Sequence, residues 1–127
     1  MRTLSVEVRW DGDEATVTVA GELDLSTAAQ VDEALADTEE KHPERLVVDL
    51  RGLSFMDSTG LRMVLSADGR ARKEARRFEV VPGPPQVHRV FRIALLDRRI
   101  VFIDPPEAEG SGEPPGADGE PPAEEPS

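Results

Sequence analysis

The chain has 127 residues, 15 of them Lys or Arg and 26 Asp or Glu, a formal net charge of −11 and no cysteine. That length supports one domain with a single core. The acid excess works against nucleic acid and anionic lipid as partners, and the missing thiols exclude disulfides and cysteine metal sites.

The charge is unevenly spread. From Asp104 to Ser127 the chain carries 8 of the 26 acidic residues and none of the 15 basic ones, which leaves residues 1–103 at a net −3. Pro, Gly, Ala and Ser make up the rest of that segment, too little apolar surface to offset chain entropy. Residues 1–103 are therefore expected to fold and 104–127 to form a disordered acidic tail. No apolar run approaches the roughly 20 residues needed to span a bilayer, and MRTLSVEVRWDGDE turns charged before a signal-peptide core could form. A cytoplasmic protein is expected.

Leu4, Val6, Val8 and Trp10 alternate with Ser5, Glu7 and Arg9, the period of a strand with one buried face. Asp11-Gly12-Asp13 makes a turn, and Val17 and Val19 lie in a second strand that Gly21 is expected to end, giving an antiparallel hairpin. Asp24 and Ser26 are both candidate caps for a helix in which Ala28, Val31 and Leu35 face inward, closed by His42-Pro43. Leu46-Val47-Val48 with Leu50 reads as a central strand, with parallel pairing.

Ser58 is predicted to begin a second helix with Leu61, Val64, Leu65, Ala71 and Ala75 inward, and Phe78–Val81 to form a short strand. Pro82-Gly83-Pro84-Pro85 turns the chain into a third helix, with Val87, Val90, Phe91 and Ala94 on one face. Ile100–Ile103 is expected as a last strand. The alternation predicts a single α/β domain, a mixed sheet of four to five strands with helices packed mainly on one face.

The stretch VVDLRGLSFMDSTGLRMVL, residues 47–65, carries the functional signal. A buried strand runs into a short loop that delivers Asp57-Ser58-Thr59-Gly60 to a helix start, where unsatisfied backbone N–H groups and the positive end of the helix dipole favour a negative group. From physics alone the first reading of Ser58 or Thr59 is simply an N-cap.

VAGELDLSTA at residues 19–28 followed by LSFMDSTGL at 53–61 resembles the STAS domain of soluble bacterial anti-sigma factor antagonists, over roughly residues 4–103. The resemblance implies binding to an anti-sigma factor that is also a serine kinase, release of a sigma factor, loss of binding on phosphorylation of Ser58, and restoration by a serine phosphatase. It implies partner-binding roles for Asp24, Asp57, Ser58, Thr59, Gly60 and Arg62. Arg62 stands where many antagonists have a second glycine, and Arg92-Ile93-Ala94-Leu95 replaces a Thr/Ser-Gly-Leu turn. The second reading within the fold is an accessory STAS subunit of a transporter or lipid-handling complex, which would not require a phosphorylatable serine.

No enzyme is expected. Ser58 as a hydrolase nucleophile would need a base, and the only histidines, His42 and His88, read as surface residues outside any Gly-x-Ser-x-Gly setting. No metal-ligand spacing and no Walker-type phosphate loop occurs, so no metal site and no cofactor are expected. Asp24 and Asp57 read as capping or turn residues before an acid–base pair. The basic run Arg70, Arg72, Lys73, Arg76 and Arg77 reads first as a solvated helix face, and otherwise as a partner surface or an anchor for the acidic tail. Trp10 is expected to pack in the hairpin.

Overall fold

The computed structural model describes residues 3–105. The acidic tail thus lies almost wholly outside the described residues. In chain order the elements are β1 (Leu4–Asp11), β2 (Glu14–Leu23), α1 (Ala28–Glu39), β3 (Arg45–Met56), α2 (Ser58–Lys73), β4 (Arg77–Val81) and α3 (Pro85–Ile93). They form one sheet of order β1-β2-β3-β4, in which β1 runs antiparallel to β2 while β2, β3 and β4 are parallel. This is the expected α/β domain with a mixed sheet.

Register explains the core. Val17 pairs with Val48, and Val48 with Val80, so alternate residues of the inner strands point to one side. There Ala15, Val17 and Val19 of β2, Leu46, Val48 and Leu50 of β3, and Phe78 and Val80 of β4 meet Val31 and Leu35 of α1, Val64 and Ala67 of α2, and Val87 and Phe91 of α3. All three helices thus share one face of the sheet. Across the strand starts, Arg45 bonds Glu79 of β4 at 2.6 Å and Glu14 of β2 at 3.0 Å. Burial pulls its guanidinium down, yet the two glutamates outweigh this and hold it above its ordinary value.

Several expectations need correction. Gly21 does not end β2. It sits at φ +108 with its Cα against the Thr3 carbonyl, where an added Cβ would come within 2.5 Å, and the strand passes through this irregularity to Leu23. The loop expected after Leu50 is strand as far as Met56. Ile100–Ile103 makes only an isolated parallel bridge, Val80 with Phe102.

Ala75 lies beyond α2, exposed and at φ 55, and Ala94 caps α3 in an exposed position, so neither joins the core. His88 is no ordinary surface residue, since its ring packs edge-on against Phe102 at 4.7 Å. Trp10 is 40 % exposed on the edge strand β1.

Candidate functional site

Parallel pairing brings the two motif segments together. Leu23 is the register partner of Met56, and the Asp57 N–H donates to the Leu23 carbonyl at 3.3 Å. Asp24 and Asp57 therefore leave the sheet side by side, at the carboxyl ends of adjacent parallel strands, where open α/β sheets assemble their sites.

Beyond Leu23 the chain is tied down locally. The Asp24 carboxylate accepts from the Ser26 N–H at 2.9 Å and from its hydroxyl at 2.7 Å, an Asx-type turn. Buried Thr27 donates its hydroxyl to the Glu22 carbonyl at 2.7 Å and accepts from the Asp24 N–H at 3.1 Å. Neither Asp24 nor Ser26 is the cap of α1, as the sequence led us to expect. Thr27 holds that position, with its side chain spent on the preceding loop.

Beyond Met56 the cap is Asp57, in extended backbone, accepting from the Thr59 N–H at 2.9 Å. The sequence offered Asp57, Ser58 and Thr59 as capping side chains, and the carboxylate of Asp57 takes that role. Ser58 becomes the first helical residue, exposed, with no hydrogen bond from its hydroxyl among the described residues. Thr59 is half-buried and Gly60 buried. A Cβ on Gly60 would lie 2.5 Å from Met56 Cγ and 2.9 Å from Leu23 Cδ2, so glycine is what lets α2 start directly on the ends of β2 and β3.

Arg62 is exposed and has no ion-pair partner among the described residues. It lies four residues after Ser58, one helical turn further along the same face. Two exposed apolar side chains at this end were not singled out from sequence: Leu25, 81 % exposed just after Asp24, and Phe55, 37 % exposed just before Met56. Leu25, three residues before Ala28, continues the spacing of Ala28, Val31 and Leu35, so periodicity alone could not mark it as exposed; it stands out because α1 begins only at Ala28.

The arrangement presents an alcohol on a rigid helix start, flanked by a carboxylate and a guanidinium and by apolar surface. It does not bring a base to Ser58. His42 is exposed near Glu74, and His88 sits in the aromatic contact with Phe102. Among the described residues, no three His, Asp or Glu side chains gather as metal ligands, and no helix is long and apolar enough to cross a membrane.

Residues 6–103 match the family described as Mlab, STAS domain. The chain is 30% identical over 96 residues to the anti-sigma-F factor antagonist RsfB of Mycobacterium tuberculosis, covering 76% of this chain and 78% of that one. It is 34% identical over 110 residues to the anti-sigma-B factor antagonist of Listeria monocytogenes, covering 86% and 96%. Among solved structures it resembles an anti-sigma factor antagonist from Mycobacterium paratuberculosis, with a TM-score of 0.77 at 24% identity over 87% of this chain and 93% of the other. It also resembles SpoIIAA in its unphosphorylated form, with a TM-score of 0.69 at 21% identity over 87% and 100%. These structural likenesses concern the fold.

Proposed function

The chain belongs to the STAS-domain family of anti-sigma factor antagonists, and on that premise we propose that it binds an anti-sigma factor serine kinase, frees a sigma factor, and is switched off by phosphorylation of Ser58. A serine phosphatase would restore it. The protein is then a binding partner and not an enzyme, with ATP and the catalytic groups on the kinase.

One observation carries this reading: the Ser58 hydroxyl is exposed at the start of α2 and engaged by no neighbour among the described residues, while its flanks are anchored. Thr59 is the poorer acceptor, being half-buried with its N–H in the Asp57 cap. Phosphate adds about −1.5 to −2 charges at a helix N-terminus, where a negative group is favourable by roughly 0.3–1 kcal/mol. Arg62, one turn on, offers it a cation, and Asp57 opposes it. The fold therefore survives modification.

A docked partner is another matter. There the phosphoryl group would need desolvation inside a fitted surface formed by Asp24, Asp57, Thr59, Gly60 and Arg62. A loss of about 2.8 kcal/mol is a hundredfold weaker complex, enough for a switch. We assign Arg62 a role in choosing the kinase, because a long cation in place of a small residue needs room or an acidic counterpart.

The test is mass spectrometry of the chain after incubation with a cognate kinase and ATP, paired with affinity measurements. Phosphate should appear on Ser58, Ser58→Ala should bind constitutively and Ser58→Asp poorly, and Arg62→Gly should reorder affinities among several anti-sigma kinases. Phosphate on Thr59 alone, or equal kinase affinity for both forms, would overturn the switch. Capture of a membrane transport complex with no kinase would favour the accessory-subunit reading.

A further inference from the structure

The arginines of this domain fall into two groups. Arg45, Arg51, Arg70, Arg72, Arg76, Arg77 and Arg99 each reach a carboxylate: Glu79 and Glu14, Asp49, Glu39, Asp68, Glu74, Glu79 and Asp68 respectively. The basic run on α2, one candidate anchor for the acidic tail, is thereby largely neutralised. Among the described residues Arg9, Arg62, Arg89, Arg92 and Arg98 make no ion pair, and the last three line one open groove of about 750 Å³ along α3 and the turn after it. Its other lining residues are Ile93, Leu95 and Asp97, so one carboxylate faces three guanidinium groups.

Ile93 is 70 % and Leu95 82 % exposed, two aliphatic side chains standing beside the arginines. Such a surface matches a chain rich in carboxylates and small apolar rings, and a segment of that description belongs to this molecule. Residues 106–127 hold seven acidic residues, no basic one and six prolines. The chain leaves the domain next to α3, because Phe102 packs on Phe91 and His88 of that helix at 5.2 and 4.7 Å.

We propose that the acidic segment 106–127 docks in this groove of its own domain, its carboxylates on Arg89, Arg92 and Arg98 and its prolines on Ile93 and Leu95. Tethering makes the contact intramolecular, so weak charge pairing suffices at the effective concentration of a short linker. Proline's restricted backbone lowers the ordering cost. The groove is then shielded from acidic segments of other proteins. This inference is independent of the role of Ser58.

The chain has no cysteine, so a single nitroxide can be placed by Ala123→Cys in the 127-residue chain. In an isotope-labelled sample, amide signals of residues 89–98 should lose most of their intensity selectively. Raising salt from about 0.1 M to about 1 M shortens the screening length from roughly 10 to roughly 3 Å and should restore them, a control that needs no substitution in the groove. The triple variant Arg89→Gln, Arg92→Gln, Arg98→Gln should restore them as well.

Broadening spread over the whole surface, centred on residues 70–77, or indifferent to salt would overturn the proposal. So would broadening of residues 89–98 seen only when nitroxide-bearing chains are mixed with separate isotope-labelled ones, which would make a second copy's tail the occupant.

Discussion

Gly60 shows how one residue sets the geometry of the site. Inside a helix, glycine to alanine ordinarily gains about 1 kcal/mol. Here the added carbon would meet Met56 Cγ at 2.5 Å and the fully buried Leu23 at 2.9 Å, and overpacking of that kind costs about 1–3 kcal/mol. Packing outweighs propensity, so Gly60→Ala should destabilise the domain by roughly 1 kcal/mol in urea unfolding. A variant as stable as the parent would contradict the close approach of α2 to the strand ends. The motif Asp57-Ser58-Thr59-Gly60 was legible in the sequence as a helix start, but the division of labour within it was not. Which of three capping side chains wins depends on the backbone direction leaving β3, and that direction is set by pairing with Leu23, more than thirty residues earlier.

The helix ends carry the clearest departure from ideal geometry. After α3 the Leu95 N–H bonds the Arg92 carbonyl at 3.0 Å and the Leu96 N–H the Phe91 carbonyl at 2.9 Å, with Leu95 at φ 61, the Schellman closure that glycine suits best. The family resemblance places a glycine-containing turn here, and this chain has a leucine in the left-handed position, at a cost of roughly 1–2 kcal/mol. Leu95→Gly should accordingly raise the unfolding free energy by about 1 kcal/mol, since an 82 % exposed side chain contributes little burial. Unchanged or lower stability would show that the leucine makes a contact worth as much as its strain. Element order and type followed from periodicity, whereas lengths did not. Gly21 punctuates the pattern as a strand end would, yet serves a bulge, and Leu53-Ser54-Phe55-Met56 breaks strict alternation because Ser54 and Phe55 are both exposed where β2 and β3 shift register. The Ile100–Ile103 pattern was apolar enough for a strand, but it meets β4 at Val80 alone, through the Val101 carbonyl and the Ile103 N–H on either side of Phe102.

The molecule as a whole has two unlike ends. Three strands run parallel, so the carboxyl ends gather Asp24, Asp57 and Ser58, while the strand starts hold the Arg45 ion pairs and the tip of the β1–β2 hairpin. Trp10, the only tryptophan, lies at that tip, paired with Ala15. Eight residues of β2 separate Ala15 from Leu23, a span of about 26 Å at roughly 3.3 Å per residue. This distance gives the protein a built-in optical control. Its fluorescence should follow unfolding of the hairpin yet stay blind to phosphate on Ser58, so that one cuvette separates loss of structure from change of signal. Identical emission spectra before and after stoichiometric phosphorylation, beside a clear shift in urea, is the expected pair of results. A shift on phosphorylation alone would mean that the mark is felt along the whole length of β2.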